Sequence, residues 1–391
     1  MSPRAWSFVL SWSRVGINAG LFLIAARVLT LAEIGSFATA FAAVRLVQAV
    51  QKAGASDAVT LLAGKGRRWE ALFVLSLGFG TLAAAIIAGV GALLSPMALL
   101  LGAIPVLNAI GAVPEGILRY RLAVRALALR TLVVQLIAAG VALWMLSAGF
   151  GPWALVGFAL VNALLGNLVA LVLAGWRPVA RPRPRDVRMV AGKTAQIAGR
   201  VALTSSTVPL AQLAIGVVLG PAAAGAFQIA TRVFELIDAL SLSPLRYIAL
   251  PQLRHAPDLT AAILTHTRVA AGLALLTWGA TLAATEPLLR LAVGPQHASA
   301  AAPVLQALAL LGLVSALTMP LTQALTATGA TGLVLARACA ALGLSGVLMI
   351  PALTQSATAC AVAIALGGTL ASLWLVYAGL PRLGLRRRVL A

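Results

Sequence analysis

Two arginine residues lie deep inside long apolar stretches of the sequence. Arg45 shares a helix face with Gln48, three residues further on. Arg232 has Gln228 and Glu235 at helical spacing on either side. A charge in the middle of a bilayer costs at least about 2.5–3.5 kcal/mol on insertion scales, so it normally faces a cavity or a partner. These residues predict the wall of a hydrated cavity. The alternative for Arg232 is a neutral pair with Glu235 that holds helices together.

Three acidic side chains also lie within these apolar stretches. Glu235 and Asp238 follow Arg232 closely, and these charges occupy one face of the same helix, which lipid cannot solvate. Glu115 lies in another apolar stretch, four residues before Arg119. A carboxylate in such a place is suited to taking up a proton during transport. For Glu115, a plain ion pair with Arg119 is the alternative.

The elements that must position these residues follow from the composition. The chain has 391 residues, of which 61% are hydrophobic and only 10% are charged. Soluble domains average about 45–50% apolar and about 25% charged residues. The remaining polar surface is too small to cover a soluble globule. The composition therefore excludes a soluble enzyme, a disordered chain and a disulfide scaffold, and it predicts an all-α polytopic membrane protein.

Twelve stretches are long and apolar enough to cross a bilayer, which takes about 20 residues. They cover residues 8–29, 35–52, 69–94, 97–118, 130–148, 152–175, 196–219, 223–244, 261–284, 303–327, 331–351 and 356–380. An even number of spans predicts that both termini lie on the same side of the membrane.

Basic residues are distributed very unevenly between the two sides. The segments on the side of the termini hold 21 of the 29 Lys and Arg residues, and the opposite loops hold only Arg290. Because Lys and Arg are retained in the cytoplasm, both termini are predicted to be cytoplasmic. The net charge of +20 consequently needs no nucleic acid as a partner, since the basic residues lie in short clusters between apolar runs.

Five further arginines lie inside the predicted spans but nearer to their ends. Arg14 and Arg200 lie within about two turns of the cytoplasmic ends, and Arg27 lies near the outer end. A long side chain at such a place reaches the interface and needs no cavity. Both interpretations stay open for these three residues, whereas interfacial placement is favoured for Arg268 and Arg337.

The chain divides near its midpoint into two halves. Residues 1–175 and residues 196–391 each hold six predicted spans, and residues 176–195 form a basic, proline-containing cytoplasmic linker. The segment VLTLAEIGSF at 28–37 aligns with VLGPAAAGAF at 218–227. This repeat predicts two six-helix lobes related by a pseudo-twofold axis along the membrane normal, with the substrate bound between them.

Motifs for other kinds of site are missing from the sequence. Gly192-Lys193-Thr194 resembles the end of a phosphate-binding loop, but Val187 stands where the first glycine is required. The three histidines are scattered, so we expect no metal site, and we expect no nucleotide and no cofactor apart from a coupling ion. The longest outer loop, 285–302, is too short for a catalytic domain. The sequence predicts a transporter and not an enzyme.

The segment ARVLTLAEIGSF at 26–37 resembles the first outer turn of the Wzx-type polysaccharide flippases. These belong to the multidrug/oligosaccharidyl-lipid/polysaccharide (MOP) superfamily and typically show small-Arg-x-Leu-Gly-x-x-x-x-Gly-x-Phe/Tyr here. Thr30 and Leu31 replace the usual Gly-Pro, which the second copy retains at Gly220 and Pro221. The span pattern, the cytoplasmic termini and the basic linker resemble the family over the whole chain. The short chain favours twelve helices over fourteen.

The resemblance implies a secondary-active flippase in the bacterial cytoplasmic (inner) membrane. It would move an undecaprenyl-diphosphate-linked oligosaccharide to the outer leaflet by alternating access, in the synthesis of O-antigen, exopolysaccharide or capsule. Other partners would be the lipid bilayer and polysaccharide assembly proteins. Since a guanidinium pairs well with phosphate, the residues implied for binding the diphosphate and sugars are Arg45, Arg232, Arg27, Arg14, Arg200, Gln48 and Gln228. Those implied for coupling to H⁺ or Na⁺ are Glu235, Asp238 and Glu115.

Two other functions compete with this interpretation. A multidrug cation antiporter of the same superfamily should have a net acidic cavity, whereas arginine predominates inside these spans. A membrane polymerase or ligase for lipid-linked glycans would need acidic or histidine groups and usually a large outer loop. The excess of intramembrane arginine favours the flippase over both.

Overall fold

The computed structural model describes residues 3–61, 67–178, 182–242, 245–246, 249, 252–253 and 258–383. In the first helix the side chains are described from Val15 onward, so the side chain of the predicted site residue Arg14 lies outside the described part. The described chain is built of helices joined by short turns and contains no β-strand. The predicted class, an all-α multi-pass membrane protein, is confirmed.

The helices follow one another with few intervening residues. In chain order they are α1 (Pro3–Val28), α2 (Leu31–Gln51), the π-helix π1 (Lys52–Asp57), α3 (Ala58–Leu61), α4 (Arg67–Leu94), α5 (Pro96–Leu101), α6 (Ala103–Tyr120), α7 (Val124–Ser147), α8 (Trp153–Ala174), α9 (Pro184–Ser205), α10 (Thr207–Val218), α11 (Pro221–Ser241), α12 (Leu259–Ala274), the π-helix π2 (Leu275–Gly279), α13 (Ala280–Ala283), α14 (Thr285–Val293), α15 (Pro295–Ala327), α16 (Thr331–Ala352) and α17 (Ala357–Arg382).

Each of the twelve predicted spans falls on a helix or on consecutive helices. Within the described residues, nine helical segments are long and apolar enough to cross a membrane, and α9 and α10, bent by 59°, form a tenth if they count as one span. The other two predicted spans correspond to α1 and α11. The described apolar part of α1 is short, Val15–Val28, and α11 carries three charged residues within 21.

The start of α2 differs from the predicted boundary. The helix begins at Leu31 instead of residue 35, because Thr30 and Glu33 form a capping box. The Thr30 hydroxyl accepts a hydrogen bond from the Glu33 backbone N–H at 3.3 Å, and the Glu33 carboxylate accepts one from the Thr30 backbone N–H at 2.8 Å. This arrangement satisfies N–H groups that a helix start otherwise leaves without partners.

The predicted outer loop at 285–302 is also helical. Its first part is α14, and α15 begins directly after Gly294, which adopts a φ of +91°. Pro295 occupies the first turn of α15, where its missing N–H costs no hydrogen bond. Gly294 and Pro295 therefore form the junction of two helices.

The first compact unit of the chain covers Met1–Val217. Its core includes Trp69, Leu72, Ile117 and Val190, all nearly inaccessible. Val190 lies on α9, which packs against α2, π1 and α4. The helix that follows the predicted linker thus packs within this unit, while the division into lobes at 1–175, 176–195 and 196–391 stays a prediction.

The second compact unit covers Val218–Ala391. Its best-buried large side chain is Trp278 of π2, which stacks on Phe234 of α11 with the ring centroids 4.7 Å apart. Leu242, Ala274 and Ala316 complete this cluster. The packing of Phe234 fixes the rotation of α11 and so decides which way its charged residues face.

Candidate functional site

One candidate region is the charged face of α11, in the second compact unit. Nη1 of Arg232 donates a hydrogen bond to Oε2 of Glu235 at 2.9 Å, so the ion pair considered as an alternative is present. The two side chains are 28% and 38% exposed. Gln228, one turn earlier, is buried. The pair consequently offers an accessible guanidinium and carboxylate, whereas Gln228 belongs to the packed side of the helix.

Asp238 does not join the Arg232 pair. Its two carboxylate oxygens accept hydrogen bonds from Nη1 and Nη2 of Arg246, at 2.7 and 2.8 Å. This bidentate geometry is the strongest form of an arginine–carboxylate pair. Arg246 was assigned to a cytoplasmic loop by its position in the sequence, and a spacing of eight residues from Asp238 carried no signal for the contact.

A separate candidate region lies on α2, in the first compact unit. Arg45 and Gln48 are half-buried there and share a face, as their spacing predicts. Lys52, one turn beyond Gln48, is exposed and begins π1. This face of α2 therefore presents two basic side chains and an amide along about two turns of helix.

The remaining predicted arginines lie near helix ends or on the surface. Arg27 is exposed in the last turn of α1, close to the Thr30 cap of α2. Arg200 is exposed on α9. Arg337, by contrast, donates hydrogen bonds from Nε and Nη2 to the Ser372 hydroxyl, at 3.3 and 3.0 Å. Arg337 therefore bridges α16 and α17 and was not recognised as such from sequence.

Glu115 is surrounded by arginine. Its Oε1 accepts a hydrogen bond from Arg119, the partner that the i,i+4 spacing predicts, and its Oε2 pairs with Nη1 of Arg130 at 3.3 Å. Nε of Arg130 also donates to the Gly166 carbonyl oxygen at 2.7 Å. Arg130 thereby connects α6, α7 and α8. The sequence pattern placed Arg130 in a loop, because the fifth apolar stretch was predicted to begin at residue 130, whereas α7 begins at Val124.

Charged pairs inside a multi-pass helical fold, such as those described above, are typical of membrane transporters. Among the described residues, no group of three or more His, Cys, Asp or Glu side chains is arranged to hold a metal ion.

The chain belongs to the polysaccharide biosynthesis protein family, whose family profile matches residues 24–302. A search of curated protein sequences finds no match to this chain.

Solved structures of MOP-superfamily transporters resemble this fold over nearly the whole chain. The inward closed conformation of the lipid II flippase MurJ aligns with a TM-score of 0.78 at 12% identity, covering 96% of this chain and 87% of MurJ. An inward-facing multidrug resistance MATE family transporter aligns with a TM-score of 0.67 at 16% identity, covering 96% of both chains.

A MOP-superfamily transporter from Pyrococcus furiosus, described as having a binding pocket of reverse polarity, aligns with a TM-score of 0.64 at 16% identity and covers 98% of this chain and 96% of its own. The predicted MOP-type fold is confirmed. The prediction of a transporter and not an enzyme agrees with the family and with these structures.

Proposed function

We propose that this protein is a flippase that moves an undecaprenyl-diphosphate-linked oligosaccharide from the cytoplasmic to the outer leaflet of the bacterial cytoplasmic membrane. The observation that carries the proposal is the combination of the polysaccharide biosynthesis family with a fold similar to that of a lipid II flippase. Such a cargo carries a diphosphate and polar sugars, which need a polar route across the bilayer, while its polyprenyl chain remains in lipid.

Arg45, in the first compact unit, and Arg232, in the second, are each proposed to bind the diphosphate during transport. A guanidinium donates paired N–H groups to phosphate oxygens, and this geometry is stronger than a contact with a point charge. In the structure the Glu235 carboxylate pairs with Arg232 at 2.9 Å. An arriving diphosphate competes with Glu235 for the same guanidinium, so cargo binding releases the carboxylate.

Glu235 is the best-placed of the three candidate carboxylates for coupling to an ion. Its side chain is 38% exposed, against 21% for Asp238 and 24% for Glu115. Asp238 is held by both terminal nitrogens of Arg246, and Glu115 is held by two arginines. Once displaced from Arg232, Glu235 takes up H⁺ or Na⁺, and this uptake drives the return of the empty carrier.

Replacing each of the two arginines tests this proposal. We expect Arg45→Gln and Arg232→Gln each to lower polysaccharide export by about tenfold or more, because a hydrogen bond to a charged group contributes about 1.5–3 kcal/mol and 1.4 kcal/mol is tenfold. Export is measured as surface polysaccharide in a strain that depends on this protein. Membrane levels of each variant are measured in parallel, so that loss of protein is not mistaken for loss of transport.

Two double variants separate cargo binding from a purely structural pair. Arg232→Gln with Glu235→Gln removes both charges and leaves neither unpaired, and we expect normal membrane levels with export still lost. Arg290→Gln with Glu286→Gln removes an i,i+4 pair whose side chains are 62% and 51% exposed, and export should be unchanged. Normal export in an Arg45→Gln/Arg232→Gln variant would refute the cargo-binding assignment.

A multidrug cation antiporter is the second candidate, because the fold also resembles that of a MATE family transporter. Drug susceptibility distinguishes the two. Deletion of the gene should leave susceptibility to cationic drugs unchanged while abolishing surface polysaccharide. Increased susceptibility with normal polysaccharide would favour the antiporter.

A further inference from the structure

A cavity of about 380 Å³ lies within the first compact unit, among α2 with its π1 extension, α4 and α9. Its walls are mostly apolar and include Leu72, Leu75 and Phe79. The volume falls in the range of about 300–1,000 Å³ that is typical of small-molecule sites. It is formed by a different set of residues from the charged pairs discussed above.

Three polar side chains line this otherwise apolar cavity. They are Gln51, which is 4% exposed, Ser76, which is 7% exposed, and Thr194. Within the described chain, Oε1 of Gln51, Oγ of Ser76 and Oγ1 of Thr194 are buried and have no hydrogen-bond partner. A buried polar atom without a partner costs about 1–3 kcal/mol, so three around one cavity indicate a ligand that satisfies them.

The orientation of the Gln51 amide is determined by its surroundings. Its Nε2 donates a hydrogen bond to the Pro105 carbonyl oxygen at 2.8 Å, and a carbonyl oxygen only accepts, so the amide nitrogen must be on that side. Gly80 permits this contact, because a Cβ there would lie 2.8 Å from the Pro105 oxygen and 3.0 Å from Nε2. The atom of Gln51 left without a partner beside the cavity is therefore Oε1, which is an acceptor.

The helix changes from α to π directly after Gln51. Single π-turns of this kind occur frequently at functional sites, since they redirect side chains without ending the helix. On the facing helix, Thr194 approaches closely: a Cβ on Gly54 would lie 3.2 Å from Thr194 Cγ2. Gly54 in the π-turn therefore allows Thr194 of α9 to approach closely at the edge of the cavity.

We propose that this cavity binds the hydroxyl end of a neutral long-chain alcohol. An alcohol hydroxyl donates one hydrogen bond and accepts two. Gln51 Oε1 requires a donor, and the Ser76 and Thr194 hydroxyls can each donate, so one alcohol oxygen matches all three in number. The hydrocarbon chain then packs against Leu72 and Phe79.

Other ligand classes match the cavity less well. All the residues that line it are uncharged, and a charged head group would lose its hydration there without gaining an opposite charge. Water satisfies the three polar atoms, but a water molecule occupies only about 30 Å³ of liquid, and filling the cavity would place many waters against apolar walls. An uncharged amphiphile satisfies both the polar end and the walls.

Photolabelling of the purified full-length protein tests the proposal. The probe is a twelve-carbon alcohol carrying a diazirine, used in phosphatidylcholine nanodiscs, and labelled peptides are identified by mass spectrometry. We expect labelling on α4 and α9, and we expect dodecanol to compete at least about tenfold better than dodecane or dodecylamine. Equal competition by dodecane, or labelling only outside these helices, would overturn the proposal.

Two conservative substitutions remove the hydroxyl groups beside the cavity and change its shape little. Ser76→Ala with Thr194→Val should reduce the advantage of dodecanol over dodecane by about tenfold. The fold should be retained, because the two hydroxyls that are removed are buried and make no hydrogen bond within the protein. The matched control is Thr204→Val with Ser205→Ala, which changes the same residue types at exposed positions of α9 and should have no effect. An unchanged advantage in the first variant means that the cavity holds only water or bulk lipid. This readout is independent of export and of the proposed flippase function.

Discussion

At the scale of single residues, the contacts of Glu115 indicate a structural role. Both carboxylate oxygens are engaged, one by Arg119 and the other by Arg130 at 3.3 Å. Arg130 is 11% exposed and also donates to the Gly166 carbonyl oxygen. Removing one partner of such a cluster leaves the remaining charges without an opposite charge at a poorly hydrated position. Glu115 thus ties α6 to α7 through Arg130, which also contacts α8. This role suits a structural residue better than a carboxylate that binds and releases an ion.

We expect Glu115→Gln to lower the stability of the protein by about 1–3 kcal/mol, because Arg130 loses a charged acceptor at a largely buried position. The measurement is the apparent unfolding temperature of the purified protein in detergent. Glu286→Gln, at an exposed pair, is the control and should change stability by less than about 1 kcal/mol. Full stability of Glu115→Gln combined with loss of ion-dependent transport would instead identify Glu115 as the coupling carboxylate.

At the scale of elements, close contact between π1, α3 and α6 depends on a glycine. The Ser56 hydroxyl donates to the Ala112 carbonyl oxygen at 2.9 Å and ties π1 to α6. One turn along α6, a Cβ on Gly116 would lie 2.8 Å from the backbone oxygen of Ser56 and 2.8 Å from Val59 Cβ. Backbone atoms cannot move aside as a flexible side chain can, so the spacing of these helices requires glycine.

Gly116→Ala should therefore destabilise the protein by about 1–3 kcal/mol through overpacking. Gly140→Ala on α7 is the matched control, since nothing lies within 4 Å of a Cβ there. That control should be neutral or stabilising by up to about 1 kcal/mol, because alanine loses less backbone entropy in a helix. The apparent unfolding temperature of Gly116→Ala should consequently lie clearly below that of Gly140→Ala when both are measured under the same conditions. Equal values would contradict the close approach.

At the scale of the whole molecule, the distribution of basic residues sets the orientation in the membrane. With 21 of 29 basic residues in the segments on one side, a reversed orientation would move many charges across the bilayer. Both termini are accordingly proposed to be cytoplasmic, with α14 on the outer side. The two native cysteines, Cys339 and Cys360, can be replaced by alanine to give a background for labelling.

In that background, Glu286→Cys should react with a membrane-impermeant maleimide in intact spheroplasts. Arg183→Cys, at the exposed start of α9, should react only after the membrane is permeabilised. The readout is the mass shift of the labelled protein on a gel, with the cysteine-free background as the control. Labelling of Arg183→Cys in intact spheroplasts would mean that the orientation is inverted.

The amino-acid pattern alone was enough to predict the class of the protein and most of its helices. Twelve apolar stretches and an uneven distribution of charge suffice for this, because the cost of burying polar groups in a bilayer acts on each stretch separately. Local pairs were equally predictable: Arg119 and Glu115, or Arg232 and Glu235, meet because they lie three or four residues apart on one helix.

Contacts between residues that are far apart in the chain could not be predicted and are visible only in the folded protein. Arg246 binds Asp238, Arg130 reaches Glu115 from the next helix, and Arg337 reaches Ser372 across 35 residues of chain. Gln51, Ser76 and Thr194, which look like ordinary polar residues in the sequence, come together around one cavity. The reason is physical: spacing along a chain determines the face of a helix that a residue occupies, but helix packing decides what that face contacts.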